Sequence, residues 1–159
     1  MTDTIPVTLT VNGREVSKAA GAHLSLLRWL RDVAGVTDPK YGCGEGICGS
    51  CTVLLDGQPV SACLVLAAQV DGAAVTTAAG LLEADGSLGP LQRAFHETHA
   101  AQCGFCTPGM LMAAAAALAG GQRRSRREIR AELHGNLCRC TGYGPIVDAI
   151  EMAQQEAGR

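Results

Sequence analysis

From Ile5 to Val11 apolar and polar residues alternate at period two, Asn12-Gly13 supplies a tight turn, and Arg14 to Ser17 can return beside the first run. That pattern predicts a hairpin. Leu24, Leu27 and Leu30, with Leu26 and Trp29 alongside, recur at helical spacing up to about Val33, and Trp29 is assigned to the core. From Val36 to Ser50 repeated glycines, Pro39 and two cysteines deny the chain regular structure and let the backbone wrap closely around a ligand. Cys51 to Leu55 reads as a strand, Asp56-Gly57 as a turn, and Pro59 to Leu66 as the partner strand, which carries Cys63. The strand pattern stops beyond Val75, and Ala78 to Gly89 reads as a connector.

The remainder reads as helices. Leu91 to Ala100 follows Gly89-Pro90, Met110 to Leu118 follows Thr107-Pro108, and Pro145 to about Ala157 follows Gly144. Ser125-Arg126-Arg127-Glu128 has the form of a capping box and opens a short helix ending near Gly135-Asn136. The expected class is α+β: a small domain over residues 1–79 with strands and one helix, then a four-helix bundle over residues 80–159.

Composition narrows the function. Apolar residues make up 47% of the 159, enough for cores, but aromatics only 3%, so a metal staple in each half would help small cores of Ala, Val and Leu. A formal charge of −2 argues against nucleic-acid binding, which needs a basic face. No apolar run is long enough to cross a bilayer, and Met1-Thr2-Asp3-Thr4 lacks the pattern of a secretory leader. The expected location is the cytoplasm, where paired cysteines point to metal ligation more than to disulfides.

All eight cysteines fall into two quartets. Cys43-x4-Cys48-x2-Cys51, with Cys63 further on, has the ligand spacing of a plant-type [2Fe-2S] site, and its glycine-rich, uneven loop is unlike a zinc ribbon. Cys103-x2-Cys106 with Cys138-x-Cys140 leaves zinc and iron–sulfur open on spacing alone. Both pairs of the second quartet stand just ahead of a proline-started helix, so two helix N-termini could offer amides and partial positive charge to one anionic site. His96 and His99, one helical turn apart, have no third ligand nearby and read as surface residues. The run Arg123, Arg124, Arg126, Arg127 and Arg130 reads either as a solvated helix start or as a docking patch for an acidic partner surface.

Strands, one helix and a long glycine-rich loop, in that order, resemble the β-grasp fold of plant-type ferredoxins. Three stretches, Tyr41 to Val53, Gln102 to Met110 and Gly135 to Tyr143, together resemble the small iron–sulfur subunit of the xanthine oxidase family of molybdenum hydroxylases, in the family's order and over nearly the whole chain. The resemblance implies an outer cluster on Cys43, Cys48, Cys51 and Cys63, nearer a flavin, and an inner one on Cys103, Cys106, Cys138 and Cys140. It further implies that Gln102 and the backbone at Cys140 contact the pterin of a molybdenum cofactor held by a large partner subunit. Substrate would be hydroxylated there, and electrons would leave singly through the two clusters toward FAD on a further subunit, a cytochrome or a quinone. Amides of Gly44, Gly46, Gly49 and Gly104 are expected near the sulfurs. Asp38-Pro39 and His134 depart from the family pattern and bear on the shape of the first loop and on one contact of the second domain. The alternative is a free two-cluster ferredoxin shuttle, although −2 on 159 residues gives little electrostatic steering.

Overall fold

The computed structural model describes residues 4–157; Met1 to Asp3, part of the stretch without a leader pattern, and Gly158-Arg159 lie outside it. The fold is α+β, a β-grasp sheet followed by four helices. β1 (Thr4–Val11) and β2 (Arg14–Gly21) form the first hairpin, and β3 (Thr52–Leu55) and β4 (Gln58–Ser61) the second. Both turn through two residues of positive φ, Asn12-Gly13 and Asp56-Gly57, the geometry that matches the right-handed twist of the strands. β5 (Ala74–Thr76) lies between the hairpins, parallel to β1 and antiparallel to β3, giving the order β2-β1-β5-β3-β4.

The sheet packs its inward residues Val7, Leu9, Val11, Val53 and Val75 against Leu26, Leu27, Trp29 and Leu30. Trp29 is fully buried, as expected. The helix that carries it differs from the expectation. α1 (Leu26–Arg28), capped by Ser25 Oγ accepting from the Arg28 amide at 3.3 Å, widens at once into a π turn over Trp29–Val33, where Ala34 donates to the Trp29 carbonyl. One extra residue in that turn keeps bulky Trp29 and Leu30 both facing the sheet.

Three other expectations need correction. β2 continues to Gly21 rather than ending at Ser17, because Thr4 to Pro6 of β1 offer it backbone partners although its own side chains are mostly exposed. β5 has no counterpart in the sequence pattern, since three residues sealed by strands on both sides are too short to show one. Cys63 does not lie on a strand. β4 stops at Ser61, Leu64 donates back to the Ser61 carbonyl, and the apolar run 62–66 leaves the sheet to cross the start of α1, where Val65 accepts from the Leu26 amide.

In the second half α2 (Pro90–Glu97), α3 (Thr107–Leu118), α4 (Arg126–Glu132) and α5 (Gly144–Ala157) enclose a separate core of Phe95, Met110, Leu111, Ile129, Leu133, Ile146, Val147 and Ile150. α2 ends before Ala100, because His99 takes a left-handed φ of 54°. α4 has the expected capping box, Ser125 N donating to Glu128 Oε2 and Glu128 N to Ser125 Oγ, but stops well short of Gly135.

α3 runs across β3 and β4 with no room to spare at Gly109. A Cβ there would stand 2.1 Å from the Gly49 carbonyl oxygen and 3.1 Å from Ser50 Cα, both backbone atoms that cannot swing aside. Gly109→Ala should therefore cost about 1–3 kcal/mol in denaturant unfolding. Gly120→Ala, which meets nothing within 4 Å, serves as the control and should leave stability near the parent value. Equal midpoints for the two variants would refute the contact.

Candidate iron–sulfur centres

The first quartet is built around a loop that turns its amides inward. Cys43 Sγ accepts from the N–H groups of Glu45, Ile47 and Cys48 at 3.4, 3.3 and 3.4 Å, and Cys48 Sγ accepts from Cys43 N at 3.4 Å. The expected glycine amides are not the donors at these sulfurs. Gly44 and Gly46 instead take φ values of 74° and 73°, which swings the next residue's N–H toward the sulfur in each case. The three donors, Glu45 foremost, bring the Cys43 thiol down to about 6, so it is mostly thiolate at neutral pH. Cys51, the residue before β3 and 2% exposed, is pushed up to about 11, chiefly by burial, with the Cys63 thiol adding to the rise and its backbone amide opposing it.

The second quartet joins two loops. Cys140 and Cys103 sulfurs stand 3.6 Å apart on the surface. Cys106, the residue before α3, is pushed up to about 12 by burial and by Cys138. Burial also works against the Cys138 thiolate, yet Thr141 contacts its sulfur through Oγ1 at 3.2 Å and N at 3.5 Å, and Cys138 is held below the usual thiol range. These contacts come from the loop, not from the first turn of α5, so the expected pair of helix N-termini does not supply the donors to Cys138. Tyr143, left-handed at φ 67°, pins this loop, its hydroxyl accepting from Cys138 N and donating to the Asn136 carbonyl, both at 3.0 Å.

The strongest contacts run between Cys43 and Cys48, Cys51 and Cys63, Cys103 and Cys140, and Cys106 and Cys138, and within each quartet the pairs lie near enough to influence one another, Cys48 acting on Cys51 and Cys103 on Cys106. Among the described residues no three of the His, Cys, Asp and Glu side chains gather about one metal-ion position. A structural zinc needs four ligands around a single point, with sulfurs about 3.7 Å apart on bonds of about 2.3 Å. A binuclear iron–sulfur cluster needs two thiolates per iron, and paired soft thiols fit it.

The two quartets are neighbours. Cys48 O accepts from Leu137 N at 2.9 Å, and Phe105 of the second quartet's loop reaches the Gly42 position of the first. Gln102 borders a cavity of about 130 Å³ beside Cys103 and Cys140, whose rim carries exposed Phe105 and Leu137 at 48% and 42%. Asp38 and Pro39, out of pattern in sequence, hold the first loop: Asp38 Oδ2 accepts from Ala79 N at 3.0 Å and the Pro39 carbonyl from Arg31 at 2.7 Å. His134, the other departure, is exposed and turns its Nδ1 to the Ala131 carbonyl. His96 and His99 are exposed, as read. Of the arginine run, Arg124 pairs with Glu132 at 3.2 Å and Arg126 with Asp148 and Glu151, while Arg123, Arg127 and Arg130 face solvent. Asn136, Tyr143 and Thr52 all stand within the quoted stretches, but the sequence assigns none of them a role.

A sheet unit and a helical unit, each with four paired thiols, define a protein with two [2Fe-2S]-binding domains. Residues 9–79 match the family described as 2Fe-2S iron-sulfur cluster binding domain, and residues 77–151 the family described as [2Fe-2S] binding domain. The chain is 45% identical to the caffeine dehydrogenase subunit gamma of Pseudomonas sp. strain CBB1, covering 91% of this chain and 88% of that one. It is also 45% identical to the nicotine 6-hydroxylase small subunit of Paenarthrobacter nicotinovorans, over 98% and 93%. The crystal structure of quinoline 2-oxidoreductase from Pseudomonas putida 86 superposes at a TM-score of 0.93 with 43% identity, covering 98% of this chain and 97% of the matched one. The chain belongs to the small iron–sulfur subunits of the xanthine oxidase family of molybdenum hydroxylases, and it is the electron-transfer subunit of such an oxidoreductase. Relatives of this kind are subunits of larger complexes, so larger partners are implied. No helix among the described residues is long and apolar enough to cross a membrane.

The paired thiols predict two irons and two sulfides per quartet. Cys48→Ser should remove one of two paramagnetic signals after dithionite reduction and leave the other. Stoichiometric zinc, or joint loss of both signals, would contradict two separate centres.

Proposed function

We propose that Cys43 with Cys48, and Cys51 with Cys63, hold the two irons of an outer cluster, and that Cys103 with Cys140, and Cys106 with Cys138, hold those of an inner one. Each cluster, when bound, supplies a centre that gains and gives up one electron at a time. The residues of this chain do the rest: they set the spacing, surround the sulfurs with donors and present the inner site to a partner. The observation that carries this reading is the arrangement of all eight thiols as four pairs in two neighbouring quartets. In this reading residues 1–79 and 80–159 are the two domains.

Electrons then arrive from a molybdenum cofactor on a large subunit and leave toward FAD on a further subunit or toward a cytochrome. Gln102 and the backbone of Cys140 face the pterin. Support comes from their exposure beside the surface thiols Cys103 and Cys140, in a face whose apolar rim of Phe105 and Leu137 favours burial. Substrate choice belongs to the large subunit, and the three relatives described above are named for N-heteroaromatic compounds. The reducing cytoplasm suits eight thiols free to ligate iron.

A permanent interface of this kind should survive salt, which screens steered encounters. Gel filtration of the natively expressed chain in about 1 M salt should yield one peak containing molybdenum together with iron. A lone species near 16.4 kDa, free of molybdenum yet reducing diverse acceptors, would favour the free shuttle instead. Gln102→Ala should leave both cluster signals intact, because an amide side chain lacks the softness to ligate iron, while slowing their reduction by substrate. Loss of a signal in that variant would make Gln102 a structural residue.

A further inference from the structure

We propose that Asn136 is the positioning residue that fixes the separation of the two iron–sulfur centres, an inference that rests on the ligand assignment above. Cys48 and Cys138 serve different centres, yet their loops are joined by one backbone hydrogen bond, from Leu137 N to Cys48 O at 2.9 Å. Neither partner of that bond is inside a helix or strand. Something else must hold the two loops in register.

Asn136, the residue before Leu137 and 6% exposed, does so. Its Nδ2 donates to Gly49 O at 2.9 Å and to Thr52 Oγ1 at 3.2 Å, one residue to either side of the segment 50–51. Thr52 Oγ1 spends its proton on Gly49 O at 2.7 Å and so presents only lone pairs to the Asn136 amide. On its own side Asn136 is tied twice by backbone, its N–H to the Leu133 carbonyl at 2.9 Å and its carbonyl to the Tyr143 hydroxyl at 3.0 Å. That hydroxyl also holds Cys138 N. The chain of contacts from the Cys48–Cys51 loop to the Cys138 loop is therefore continuous, and it has no slack: a Cβ on Gly49 would stand 2.4 Å from Gly135 O and 2.6 Å from Asn136 Nδ2.

In the transfer itself one electron leaves the centre on Cys103, Cys106, Cys138 and Cys140, which is oxidised, and reduces the centre on Cys43, Cys48, Cys51 and Cys63. No bond forms or breaks and no proton moves. Such a transfer depends steeply on separation, so a side chain that touches neither centre can control its rate through the two loops.

The test uses the complete enzyme with Asn136→Ala, Thr52→Val and Thr52→Ser. In fully reduced protein the magnetic splitting between the two centres reports their separation. The expected result is loss of the resolved splitting and slower intercluster equilibration in Asn136→Ala, a smaller loss in Thr52→Val, parent behaviour in Thr52→Ser, and parent iron content in all three. Unchanged splitting in Asn136→Ala overturns this inference alone. Loss of iron in both Asn136→Ala and Thr52→Val also overturns it, since Asn136 would then hold the fold and not the spacing. A parent protein with a single signal overturns the two-cluster assignment and this inference with it.

Discussion

One carbonyl organises the meeting of the two halves. Gly49 O accepts from Thr52 Oγ1 and Asn136 Nδ2, and Gly109 of α3 comes so close that even a methyl group would collide with it. Thr52 N donates to it as well, at 3.1 Å, so the buried oxygen is fully engaged and the cost of taking it out of water is offset. The same point fixes three things at once. It closes the loop between Cys48 and Cys51, seats α3 across β3 and β4, and brings the Leu137 amide to Cys48. Two cores that share no residue are thereby held in one relation.

Much of the fold was legible because local signals and tertiary needs agreed. Asn12-Gly13 and Asp56-Gly57 are turn dipeptides whose positive φ the hairpins require, and Ser125 with Glu128 caps a helix that starts where the pattern places it. The misreadings arose where tertiary partners overruled the local pattern. β2 extends past Ser17 because β1 supplies hydrogen-bond partners that its own side chains do not advertise. The apolar run after Ser61 looks like strand, but Val65 and Leu66 satisfy their backbones against Leu26 and Ser25 instead of the sheet. The π turn at Trp29 is a packing solution, and no sequence period records it.

The candidate site divides the same way. Cysteine spacing announces two quartets, since ligand chemistry needs those residues at those intervals. It does not announce which sulfur faces which, because Cys103 meets Cys140 and Cys106 meets Cys138 only after two loops cross. Nor does it reveal that Gly44 and Gly46 act through the amides of Glu45 and Ile47, a consequence of φ and not of composition. Asn136 and Thr52 are ordinary polar residues in sequence and acquire a role only across a separation of 84 positions. Long-range polar contacts of this kind leave no periodic trace.

The two quartets are not equivalent, and the difference has a direction. Three backbone amides converge on Cys43, whereas Cys138 receives one amide and a hydroxyl from Thr141. Donors around sulfur stabilise added negative charge, so on the ligand assignment proposed above the amides at Cys43 would favour reduction of the first site. The second site keeps Cys103 and Cys140 at the surface beside Gln102, while Cys51 of the first is buried in the sheet. With the ligands assigned as proposed above, a second site that keeps two thiols at the surface, its loop joined to the first by the Leu137 amide on Cys48 O at 2.9 Å, would be placed to meet a partner on its open face and pass electrons toward the sheet domain.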